Sequence, residues 1–68
     1  MAFTAFDSWQ QNARWARMNA DADRATAFVL QEQGDPLTAS LHLTSAHEAE
    51  QRALDYEQRA YASLERAA

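Results

Sequence analysis

The chain has one glycine and one proline, and they flank a single aspartate at its midpoint, in Gly34-Asp35-Pro36. That placement constrains the fold more than any other feature. Gly34 suits the left-handed residue that ends a helix. Asp35 is a good N-cap, and Pro36 fits the first helical position, where its missing N–H costs nothing. The segments on either side are rich in Ala, Gln, Glu, Arg and Leu, the strong helix formers, and show no strand-like alternation. The pattern predicts an all-α fold. It is read as one domain over residues 1–68, an antiparallel two-helix hairpin with helix 1 at about 3–33, a turn at 34–35 and helix 2 at about 36–67. Glu48–Arg52 and Asp55–Arg59 are expected as ion pairs of favoured i,i+4 order within the second helix.

Register carries most of the information. Ala39, Ala46, Ala53, Ala60 and Ala67 recur every seven residues in the second helix, with His42, Ala49, Tyr56 and Ser63 as the companion position. The first helix answers with Phe6, Ala13, Ala20 and Ala27 in one position and Ala2, Trp9, Ala16, Asp23 and Leu30 in the other. Labelling these positions a and d gives a coiled-coil-like seam built from alanine, which lets two helices approach closely. Folding at 34–35 pairs positions whose numbers sum to about 69. Trp9 then meets Ala60 and Ala13 meets Tyr56, so large stands opposite small. Asp23 is the misfit. A carboxylate in a seam must reach solvent, an arginine or a histidine, and Asp23 with His42 is expected as a pH-sensitive pair.

The seam leaves the larger side chains over. Sixteen of the thirty-two apolar residues are alanine, and Leu, Ile, Val and Phe together number ten of 68. A chain this short with so thin a core usually needs a staple or company. With no cysteine, disulfides and thiolate metal sites are excluded. Helix 1 carries a second apolar stripe of Trp15, Met18, Ala22, Ala25 and Val29. Leu43, Leu54, Tyr61 and Leu64 form a corresponding flank on helix 2. These residues would be wet in a lone hairpin, and a wet stripe of this length marks an association surface. The expected interaction surface is therefore Trp15, Met18, Val29, Leu43, Leu54, Tyr61 and Leu64, with Trp15 and Met18 as its anchors.

Other chemistries find little foothold. There is no glycine-rich phosphate loop and no nucleophile elbow. Acidic pairs such as Asp21/Asp23 and Glu48/Glu50 are i,i+2 and point apart on a helix. No catalytic residue, cofactor or metal is expected. His42, His47, Glu48 and Glu50 have ligand-type side chains, but their order departs from the Glu-x-x-His of carboxylate bundles. No stretch approaches the ~20 apolar residues that cross a bilayer, and the first residues lack the basic and apolar regions of a signal peptide. The expected address is the cytoplasm, with no membrane partner.

The expected function is a small acidic, non-enzymatic protein-binding module that buries its second stripe in a homodimer or against another helical protein, completing a four-helix bundle. The alternative is a dimeric bundle of the ROP architecture that binds nucleic acid through Arg14, Arg17 and Arg24 on helix 1. The net charge of −4 and the acids interspersed in that patch make nucleic acid the less favoured partner.

Overall fold

The computed structural model describes residues 2–67 and contains two helices, α1 (Ala5–Glu32) and α2 (Pro36–Ala67). Helix α1 starts two residues later than composition suggests because Thr4 is its N-cap. The Asp7 N–H donates to the Thr4 hydroxyl, and the Thr4 N–H donates to the Asp7 carboxylate, both at 3.1 Å. This reciprocal box satisfies two backbone donors that a helix start otherwise leaves orphaned. The backbone hydrogen bond from Thr4 also holds the Asp7 carboxyl below the usual carboxylate range.

Gly34 closes α1 at φ +82°. Its N–H donates to the Gln31 carbonyl at 3.0 Å, and the Asp35 N–H donates to the Leu30 carbonyl at 2.9 Å. These two bonds make the Schellman arrangement that terminates helices at a left-handed residue. Asp35 then starts α2 without a break, since its carboxylate accepts from the Thr38 N–H at 3.2 Å. One three-residue segment therefore both ends and begins a helix, which forces the helices side by side.

The hairpin is a slab of 53 × 21 × 9 Å, measured over Cα atoms. Its interior is alanine. Ala13, Ala16, Ala20 and Ala27 of α1 meet Ala39, Ala46, Ala49, Ala53 and Ala60 of α2, and these nine are the whole buried set among the described residues. All nine lie at the a and d positions marked out by the heptad spacing; Ala2 and Ala67, at the ends of the same seam, are exposed. Contacts across the seam follow the expected register, with number sums from 65 for Asp23–His42 to 74 for Arg17–Glu57.

Aromatic residues close the seam toward the open end. Trp9 and Tyr56 stack with ring centroids 5.9 Å apart, and the Arg59 guanidinium lies 5.2 Å from the Trp9 ring. Phe6 and Tyr61 meet edge-on at 6.0 Å. Such pairs add about 0.5–1.5 kcal/mol beyond burial. They compensate for a core whose methyl groups each contribute less than about 1 kcal/mol.

Candidate interaction surface

Cross-helix ion pairs fix which residues share a side of the slab. Arg17 pairs with Glu57, and Arg24 pairs with Glu50 at 3.0 Å. All four occupy the e position of the heptad, so the e positions of both helices line one edge of the seam, as antiparallel pairing requires. Trp9–Arg59 and Asp23–Ser45, from d to g, mark the opposite edge.

Placed on this frame, the expected interaction residues separate. Leu43 and Leu64 lie at e and Leu54 and Tyr61 at the neighbouring b, on the Arg17–Glu57 side. Trp15 and Val29 lie at c, on the other side, and Met18 lies at f, on the outer ridge of α1. The sequence reading treated the two stripes as corresponding flanks. In the hairpin they face different directions, because a wheel drawn for each helix alone does not say how the two wheels mesh.

Every one of these seven side chains is exposed. They belong to a set of eleven large apolar residues, between 43% and 76% exposed, that also includes Phe3, Phe28, Leu37 and Leu41. Leu37 and Leu41 lie near the turn, apart from both stripes, and Phe3 and Phe28 flank the arginines of helix 1.

The outer surface of α1 has a second property. From Ser8 to Val29 its c, f and g positions are Ser8, Gln11, Asn12, Trp15, Met18, Asn19, Ala22, Ala25, Thr26 and Val29. All are exposed and none is charged. The charges of α1 in that span are confined to Arg14, Arg17, Asp21, Asp23 and Arg24 at b, e and d. Depletion of charge around aromatic and Met side chains is the compositional mark of an interface centre.

Asp23, the seam misfit, is resolved by two polar side chains of α2. His42 Nδ1 lies 3.0 Å from one carboxylate oxygen, and the Ser45 hydroxyl donates to the other at 2.7 Å. The His42 bond, then the Ser45 bond, hold the Asp23 carboxyl below its usual range, and the charge of Arg52 acts in the same direction. Of the two i,i+4 pairs expected in α2, only Asp55–Arg59 forms, at 3.2 Å.

The ligand-type and basic clusters are dispersed. His42 is bound to Asp23, Glu50 is bound to Arg24, and His47 is exposed. No three His, Asp or Glu side chains among the described residues are arranged to hold a metal ion. Within the Arg14, Arg17 and Arg24 patch, Arg24 also bonds Asp21, while Arg17 crosses to Glu57 rather than pairing along its own helix. Pairing with Glu50 and Asp21 raises the affinity of Arg24 for its proton. A cleft of about 190 Å³ lies at the open end between Phe6 and Leu64, smaller than the ~300 Å³ at which ligand pockets begin. Among the described residues, no helix is long and apolar enough to cross a membrane.

The fold and surface thus define a class: an all-α helical hairpin with an alanine seam and uncovered apolar flanks. Comparison with protein-family models, curated proteins and solved structures gives no match.

Proposed function

We propose that this chain is a protein–protein association module without chemistry of its own, which works by burying exposed helix surface against other helices. One observation carries the reading. Among the described residues the buried set is alanine alone, while eleven large apolar side chains remain in water. A monomeric protein seldom leaves its anchors outside and its smallest residues inside. The natural completion is a bundle of four or more helices. The arginine patch supports nucleic-acid binding poorly, since Arg17 and Arg24 are already neutralised by Glu57, Glu50 and Asp21.

The test is sedimentation of the purified chain and of two variants, Trp15→Ala on the outer ridge of α1 and Leu54→Ala on the flank of α2. Association lost or weakened in either variant supports the reading. If sedimentation and thermal unfolding are the same in all three, neither surface is an interface.

A further inference from the structure

The outer ridge of α1, uncharged from Ser8 to Val29, carries an order of its own. Inside the hairpin the buried positions are alanine, and the large d residues Trp9 and Tyr56 stack on each other. Outside, the c and f positions run Ser8, Gln11, Trp15, Met18, Ala22, Ala25, Val29 and Glu32. They have the same three–four spacing as a and d, turned to the far side of the helix. The large residues come first and the alanines second. A helix with that order complements itself when one copy is reversed. Number sums of 40 place Trp15 of one chain on Ala25 of the other, and Met18 on Ala22, twice over, with Ser8 against Glu32 at both ends.

We infer that the occupant of this ridge is a second copy of the chain, with α1 packed antiparallel on α1 about a two-fold axis near residue 20. The inference rests on the association reading above and names its partner and contact. Three features favour a second copy. The large-on-alanine alternation is met at every layer from Trp15 to Ala25 without a residue from elsewhere. A two-fold contact uses the same patch on both chains, so one self-complementary stripe suffices. The chain's net charge of −4 also opposes self-association least where the surface holds no charge: the g positions beside the stripe, Asn12, Asn19 and Thr26, offer hydrogen bonds instead. The product is a four-helix layer in the order α2, α1, α1, α2, with the Leu43, Leu54, Tyr61 and Leu64 flank outside the contact. The ridge from Ser8 to Val29 is ~33 Å long at 1.5 Å per residue, a contact at the small end of specific interfaces, so the dimer should respond to concentration.

Because the chain has no cysteine, pairing can be read directly. An equimolar mixture of Met18→Cys and Ala22→Cys chains is oxidised mildly, beside each variant alone. The expected result is a disulfide-linked heterodimer from the mixture, well above the yield of either homodimer. Sedimentation of the wild type should show a dimer at about 100 μM, with Trp15→Ala weakening it at least tenfold and Ala22→Glu abolishing it. These positions face away from the alanine seam, so circular dichroism should show unchanged helix content. A wild type that remains monomeric at that concentration overturns the inference, as does a heterodimer yield no higher than that of the homodimers. A dimer broken by Leu54→Glu but indifferent to Ala22→Glu also overturns it, while leaving the association reading standing on α2. Indifference to both substitutions overturns both.

Discussion

Asp23 and His42 face each other across a seam whose buried residues are alanine, with His42 Nδ1 3.0 Å from Asp23 Oδ1. An ionised carboxylate only accepts hydrogen bonds, so Nδ1 carries the proton whether the ring is neutral or cationic. Protonating the Asp23 carboxylate removes charge from this contact and from the Ser45 bond at 2.7 Å.

The sign follows from the direction of the shift. The folded-state carboxyl of Asp23 is depressed by His42 first and Ser45 second. Its contribution to stability is thus fully present above the unfolded value of about 3.9 and is lost as pH falls through the lower folded value. The gap in thermal midpoint between wild type and Asp23→Asn should shrink as pH falls below about 4. A gap that widens on acidification would show the sign to be wrong.

The alanine layers around Ala20 leave no room for a larger side chain. Ala20 is fully buried and clusters with Ala46 and Ala49, so Ala20→Leu should cost about 1–3 kcal/mol by overpacking. Ala62→Leu, the same change on an exposed face of α2, should fall within about 0.5 kcal/mol of wild type. Urea unfolding of the two variants measures the difference.

Gly34 has nothing within 4 Å of the place a Cβ would occupy, yet its φ is +82°. Only backbone conformation opposes a side chain there. Gly34→Ala should destabilise the hairpin by about 1 kcal/mol, and Gly34→Asn by less, because asparagine tolerates the left-handed region better. Equal losses in thermal unfolding would point to some other cost at this position.

The Trp9–Tyr56 stack, with Arg59 over the indole, is the main aromatic contact of the seam. Trp9→Ala should lower stability by about 2 kcal/mol and the melting midpoint by roughly 10 °C. A double-mutant cycle of Trp9→Ala with Tyr56→Ala should return a coupling near 1 kcal/mol. Additive losses would mean that the rings contribute only through separate burial.

The features legible in the sequence are those set by neighbours along the chain. Gly34, Asp35 and Pro36 fix the end of one helix and the start of the next through bonds that span at most five residues. Heptad spacing picks out the nine buried alanines because period alone decides which face of a helix can be covered. The Thr4–Asp7 box was equally local and was missed, so α1 was begun too early. Arg17 has Asp21 one turn away on its own helix, and instead reaches Glu57 on the other.

Sequence by itself determined that two helices lie antiparallel on an alanine seam, because turn chemistry and a sevenfold repeat act within each helix. Tertiary structure alone decided that Leu54 and Trp15 look out from different sides of the slab, that Ser45 joins His42 on Asp23, and that Arg24 joins Asp21 to Glu50. Those outcomes depend on how the two wheels mesh. Meshing is settled by which side chains meet across the seam, and no spacing within either helix encodes it.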